Sequence, residues 1–433
     1  MGRGIALGVA GALLVFLALT TVQALGITPY LPPDELYHVS YAVVVGDGRL
    51  PTLTTPVPAD EVPLMPDDGR PRRIYTANHP PLFYLPESVV LRIGSPAVAI
   101  GAARLLSACF GAAGVLMVAW LALILLPSRP RVVVAAAWFV ALLPAVPHYS
   151  AFVYNDGLGF LASTATLVAG ALALRRGPTR WRMTGLAAAA AAAALTRAPG
   201  LTLAGVAGLV AAAAVWPHSG RPVQRRLLAA AGAGALVGGA ALASSIWFYL
   251  RNRALYGQLT GSQYNQALFG FPRQANPARL AASPSYLLGL FDGLWVWTRF
   301  PARQIPVERA LVLVPRVIAL AALAGLAVAA ARAILALRAR PAAGTAPSDP
   351  LSPAPSSAQP TGAPAPRASR APLGDVAAWL LLAGWLLLAA ASLTVLVGFI
   401  LQHGGLRLLA SEQPRERPAL PPAEARPEPA AHP

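Results

Sequence analysis

Apolar residues in this chain gather into long runs, separated by short basic stretches or by longer polar ones. The first run is Ile5 to Leu25, just after Arg3; the next is Ala97 to Leu126, ending in Pro127-Ser128-Arg129-Pro130-Arg131. Runs of about 20 apolar residues cross a bilayer core as helices, because a helix satisfies its own backbone hydrogen bonds where no water is present. Further runs follow at Val132–Pro147, Leu158–Leu174, Leu227–Leu250, Ala310–Leu337 and Val376–Leu401. Two shorter ones, Met183–Thr196 and Leu201–Trp216, are split by Arg197-Ala198-Pro199-Gly200 and read as an out-and-back hairpin. The pattern predicts an all-α polytopic membrane protein with roughly nine transmembrane helices. Val22-Gln23-Ala24 loosely resembles a signal-cleavage site, but the length of the first run favours an uncleaved helix.

The polar stretches orient the bundle. The loops Pro127–Arg131, Arg175–Arg182 and His218–Arg226 are short and basic, which reads as cytoplasmic. The N-terminus then lies in the cytoplasm of a cell-membrane protein, and two large loops, 26–96 and 251–309, lie outside. Residues 1–337 form the expected core. Residues 338–372 are a Pro/Ala/Arg-rich linker expected to be disordered and cytoplasmic, 373–401 hold the last helix, and 402–433 form a polar tail expected to be disordered.

Composition agrees. The 433 residues are 56% hydrophobic and 12% charged, where a soluble protein carries about 25% charge. All 34 basic residues are Arg, and the net charge is +17. In a soluble chain that balance would suggest nucleic acid. Here the arginines sit between apolar runs and orient helices, so no nucleic-acid partner is expected. The single cysteine, Cys109, lies inside an apolar run, forms no internal disulfide and belongs to no zinc-spaced cluster.

Four polar motifs fall on the outer side. "PPDELYH" places Asp34, Glu35 and His38 within five residues, with His38 one helical turn after Asp34. Two prolines before an acidic pair also make an ordinary helix start, with Asp34 as a cap. A carboxylate at this level can equally take a proton from an acceptor hydroxyl, and two carboxylates can share a cation. "NHPPLFYLPES" places His79 above an apolar "LFYL" face, as in a re-entrant or interfacial helix. "YNDG" puts Asn155 and Asp156 at an outer helix start, where Asp is also a routine cap. Arg197 breaks the hairpin and Arg251 follows "WFYL"; both can snorkel to headgroups or bind a lipid phosphate through paired hydrogen bonds.

In this order, "PPDELYH", "NHPPLFYL", "YND", "LTRAPGL" and "WFYLRNRALYGQLTG" resemble bacterial membrane proteins of the GT-C glycosyltransferase superfamily. The resemblance covers roughly Met1 to Pro301 and is similar in style to an actinobacterial-type branch with a PDE…H first loop. It implies a GT-C-like bundle and transfer of a sugar from a polyprenyl-phosphate carrier to a glycan, lipid or protein acceptor at the outer face, in cell-envelope assembly. It further implies catalytic carboxylates at Asp34, Glu35 and Asp156. Substrate binding falls to His38, His79, Asn155, Arg197, Arg251 and Tyr256, with membrane lipids around the site. A divalent cation is required in some members and not in others, so the cofactor stays open. The family pattern also implies a further external motif after Leu401, where this chain has a polar tail containing Arg407.

Two other readings remain. A polyprenyl-lipid transporter or flippase would use the same arginines but place ionisable groups in mid-membrane, where Arg104 and Arg332 are the nearest candidates. A non-catalytic envelope-assembly protein would explain the unusual C-terminus.

Overall fold

The computed structural model describes residues 2–66, 72–218 and 222–269, with short pieces and single positions between 282 and 335. The expected helices at Ala310–Leu337 and Val376–Leu401, the linker and the tail lie largely or wholly outside the described residues.

The described chain is helical, apart from a two-residue hairpin that pairs Arg299–Phe300 with Arg303–Gln304. Four helices are long and apolar enough to cross a membrane: α1 (Arg3–Gly26), α4 (Pro96–Leu125), α7 (Asp156–Arg176) and α10 (Val223–Tyr256). The other expected crossings within the described residues are shorter. Val132–Pro147 is resolved into α5 (Pro130–Leu142) and α6 (Ala145–Ser150), interrupted at Leu143-Pro144. The hairpin consists of α8 (Arg180–Ala194) and α9 (Gly200–Val215). Helices of 13 to 16 residues span only about 20–24 Å, short of a hydrocarbon core of roughly 30 Å.

Local sequence explains the boundaries. Pro96 and Pro130 occupy first-turn positions, where a missing N–H costs nothing. Helix α4 stops at Leu125, just before Leu126-Pro127, and α10 ends at Gly257, whose φ of 74° closes the last turn. Thr179 caps α8 by accepting the Arg182 N–H at 3.3 Å.

Sequential helices pack side by side, α1 on α4 and α5, α4 on α7, α7 on α8, and α8 and α9 on α10. Small residues allow the closest approach. A Cβ on Gly208 of α9 would lie 2.9 Å from the Gly234 carbonyl of α10, and one on Gly234 would meet the Gly208 carbonyl at the same distance. Backbones this close are held by van der Waals packing, which is what drives helix association where lipid removes the hydrophobic effect.

Over one end of the bundle lies a layer made from the first large loop: α2 (Glu35–Gly46), a 3-10 turn (Tyr75–Asn78) and α3 (Tyr84–Val90). Its core contains Tyr41, Leu53, Ile74, Phe83 and Tyr84, all fully buried. Each such side chain contributes about 2–3 kcal/mol by leaving water. The "LFYL" stretch therefore differs from the expected lipid-facing surface. Phe83 and Tyr84 point into this core, while Leu85 and Val89 face outward. The second loop also begins later than expected. Helix α10 continues through Arg251 to Tyr256, and α11 (Ser262–Phe269) follows. At 34 residues α10 is about 51 Å long, so it carries its last turns up into the layer.

Candidate active site

The layer and the helix ends meet at a buried polar cluster. Its frame is the Glu35–Arg104 ion pair. Arg104 donates from Nε to Glu35 Oε1 at 2.7 Å and from Nη2 to Oε2 at 2.6 Å. Its Nη1 donates to the carbonyls of Ala24 at 2.7 Å and Ile27 at 2.6 Å. Glu35 also accepts the N–H groups of Tyr30 at 3.0 Å and Val153 at 3.3 Å. Only 2% of the Arg104 side chain and none of Glu35 is exposed. One ion pair thus ties the end of α1, the start of α2, α4 and the segment leading to α7. Its surrounding hydrogen bonds are what make a buried pair tolerable. Glu35, named as catalytic from the sequence, has both oxygens engaged in this frame, so its geometry is that of a positioning residue.

Asp34, next to Glu35, is held differently. It occupies the N-cap position of α2, yet its φ is 75° and its side chain makes no capping bond. The left-handed conformation costs a non-glycine residue about 1–2 kcal/mol, least for Asp and Asn. Its carboxylate instead accepts the Tyr75 hydroxyl proton, while the Tyr154 hydroxyl donates to the preceding Pro33 carbonyl. Burial and the negative charge of Asp156 push the Asp34 carboxyl up to about 7, and the Arg197 guanidinium opposes that rise. The capping role open to Asp34 in the sequence is not the one its side chain takes.

Asp156 begins α7. Gly157 lets that helix start close to α4, where a Cβ would stand 3.0 Å from the Ser107 carbonyl. The Asp156 carboxylate pairs with Arg197, which enters from the α8–α9 turn. Only 6% of Arg197 is exposed, so it is drawn into the protein and does not snorkel to the surface. Asn155 is fully buried and donates from Nδ2 to the Thr196 carbonyl at 3.3 Å. Two buried atoms in this corner, Arg197 Nε and Asn155 Oδ1, have no hydrogen-bond partner within the protein. A spare donor and a spare acceptor are uncommon in a protein interior and suit a polar ligand.

His38 and His79 complete the cluster. Their rings stack at 6.1 Å with 7° between planes, and His38 Nδ1 is 2.9 Å from the Tyr84 hydroxyl. Burial first, then the nearby positive charge of Arg197, lowers His38 to about 3, so it is a neutral imidazole at physiological pH. The Tyr41 hydroxyl donates to the His79 carbonyl at 2.7 Å, and the Tyr41 and Tyr84 rings stack at 3.8 Å.

Arg251 and Tyr256 form a second pole beyond these rings. Arg251 Nη2 donates to the carbonyls of Leu50 at 3.2 Å and Pro51 at 2.8 Å, and Tyr256 accepts the Leu53 N–H at 3.0 Å. Asn252 beside them donates to the Asn78 carbonyl at 3.0 Å, so the end of α10 is pinned under the turn that leads to His79. The structure thus brings Asp34, His38, His79, Asn155, Asp156 and Arg197 together, and sets Arg251 and Tyr256 to one side.

Several contributors are not evident from the local motifs. Tyr75, Tyr84 and Tyr154 supply the hydroxyls that position the cluster. Arg104 carries the one usable signal, a charge inside a long apolar run. Glu87 of α3 is buried and accepts the Ser107 hydroxyl at 3.1 Å. Burial raises its carboxyl well above the usual range, which favours the protonated form. Among the described residues, no three His, Cys, Asp or Glu side chains converge to hold a metal ion.

No family model, curated protein or solved structure matches this chain.

Proposed function

We propose that this protein is a membrane glycosyltransferase of GT-C type, moving a sugar from a polyprenyl-phosphate carrier to an acceptor hydroxyl on the outer face of the cytoplasmic membrane. The observation that carries the reading is the state of Asp34. It is a carboxylate taken out of its capping role, beside an acidic residue that pairs with a buried arginine. A general base works best with a pKa near the working pH, and that of Asp34 lies at about 7.

In the proposed reaction, Asp34 accepts the proton of the acceptor hydroxyl. The acceptor oxygen forms a bond to the anomeric carbon, and the bond from that carbon to the phosphate oxygen breaks with its electron pair. The phosphate leaves as an anion and the anomeric centre inverts. Arg197 is placed to stabilise that anion through its spare Nε, with Asp156 fixing its orientation. Neutral His38 and the spare Asn155 Oδ1 suit sugar hydroxyls, which both donate and accept hydrogen bonds. A divalent cation bound here would take Asp34 and Asp156 as its protein ligands and draw its other ligands from phosphate or water.

Charge distribution supports the orientation. Every described Asp and Glu lies within the first loop and its flanks or at the start of α7, on the side of the site. The opposite end, with the loops Pro127–Arg131 and Arg175–Arg182, carries arginines and no described acid. The short basic loops at that end support a cytoplasmic N-terminus and a site on the outer side. Transport is the weaker reading, because the mid-chain charge it would use, Arg104, is already engaged by Glu35 and backbone carbonyls. The test is transfer of a labelled sugar from a polyprenyl phosphate in proteoliposomes, comparing the wild type with Asp34→Asn.

A further inference from the structure

At the end of the bundle opposite the site, two basic turns are held side by side. Arg175, in the last turn of α7, donates from Nη1 to the Ile124 carbonyl near the end of α4 at 3.0 Å. That bond brings the α7–α8 turn, with Arg175, Arg176, Arg180 and Arg182, beside the α4–α5 turn, with Arg129 and Arg131. The α7–α8 turn is a built structure. Arg182 Nη1 donates to the carbonyls of Arg176 at 2.6 Å and Gly177 at 2.7 Å, closing the end of α7. The Arg180 guanidinium lies over the Trp181 ring, 5.2 Å from its centroid. Trp181 itself is 73% exposed, and Val132 is exposed beside Arg131.

Six guanidinium groups in two adjoining turns repel one another, and no described acidic residue lies at this end to offset them. An anionic partner that meets both turns offsets that repulsion. The large exposed indole beside these charges favours the headgroup level of a bilayer over bulk water. We infer that the joined α4–α5 and α7–α8 turns form a recognition surface for the phosphodiester headgroups of anionic phospholipids, with Arg129, Arg131, Arg176 and Arg180 as the phosphate contacts and Trp181 as the interfacial anchor. A lipid carrying two phosphates meets both turns at once, which neither a zwitterionic headgroup nor free phosphate does. The surface is independent of the transferase reading, since it lies at the other end of the bundle and uses none of its residues.

The test uses the full chain in nanodiscs of phosphatidylcholine alone or phosphatidylcholine mixed with cardiolipin. Thermal unfolding and the amount of cardiolipin retained on transfer to neutral detergent are both measured. Cardiolipin is expected to raise the unfolding temperature and to stay bound. In the Arg129→Gln/Arg176→Gln/Arg180→Gln variant, retention falls at least about tenfold, since each surface arginine contributes roughly a fivefold factor toward anionic lipid before screening. The corresponding triple Arg→Lys variant keeps most of the effect, because charge is retained. Arg49→Gln/Arg92→Gln, at the opposite end, keeps all of it. Unfolding of the triple Gln variant in phosphatidylcholine alone shows whether it folds. If it does not, Arg129→Gln and Arg176→Gln are read singly, each with a severalfold loss. Equal retention by the Gln variants, or an equal temperature shift from inorganic phosphate in phosphatidylcholine, overturns the inference.

Discussion

Arg104 and Glu35 face each other through two parallel hydrogen bonds of 2.7 and 2.6 Å, with both side chains out of solvent. Removing one partner strands the other charge in the interior, which costs about 3–5 kcal/mol. Arg104→Ala is therefore expected to lower the unfolding temperature sharply in detergent. The double variant Glu35→Gln/Arg104→Gln should cost clearly less than the sum of the two single changes. Simple additivity of the unfolding free energies would show that the pair does not act as a unit.

Asp34 is expected to reduce stability as it ionises. Its folded pKa of about 7 lies above its ordinary value of 3.8, so between those values the folded state holds a proton that the unfolded state has lost. Stability contributed by the protonated form is full below about 4 and is lost as pH rises through about 7. Asp34→Asn, which keeps a residue type that tolerates φ of 75°, should thus be more stable than the wild type at pH 8, by about 1–2 kcal/mol once partial solvation is allowed for. At pH 4, near the unfolded pKa, the two should differ little. Equal gaps at the two pH values would argue against a raised Asp34.

Much of this arrangement is legible in the sequence. "PPDELYH", "NHPP", "YND" and "LTRAPG" mark the chain segments that meet, because a polar residue at the end of an apolar run needs a partner. The helices α1, α4, α7 and α10 follow from run length. What local pattern does not reveal is how each polar group is used. Asp34 and Asp156 both sit where caps are common, and only the tertiary partners Tyr75 and Arg197 separate a cap from a site. Arg104 stands out as a charge in an apolar run, but its partner Glu35 is 69 positions away. Short apolar runs such as Met183–Thr196 do not reveal their placement by length, and it is the packing of α8 and α9 on α7 and α10 that positions them.

Arg197 lowers the pKa of Asp34, so its removal should raise it further. If Asp34 is the base, activity rises with pH as it ionises and levels off above about 7. Arg197→Ala should move that limb upward by about one pH unit, besides lowering the plateau. Arg197→Lys should leave the limb near its original place, because the charge is kept. A lower plateau with an unmoved limb in Arg197→Ala would mean that the two groups are not coupled.

Burial favours the protonated form of Glu87, and its Oε1 accepts the Ser107 hydroxyl. Glutamine matches a protonated carboxylic acid in shape and in having both a donor and an acceptor. Glu87→Gln should change stability by less than about 1 kcal/mol, whereas Glu87→Ala opens a cavity and costs about 2–3 kcal/mol. A large loss in Glu87→Gln, seen by thermal unfolding, would indicate that Glu87 is ionised in the native state.

Asp34 is proposed to take the acceptor proton in a sugar transfer at the outer leaflet. The most direct measurement of this is single-turnover transfer from polyprenyl-phospho-sugars to an acceptor pool in proteoliposomes, with wild type and Asp34→Asn compared above pH 7. The wild type is expected to transfer the sugar and Asp34→Asn to lose roughly 100-fold or more, with folding intact and donor binding retained through Arg197. Undiminished transfer by the folded Asp34→Asn protein would contradict this role for Asp34.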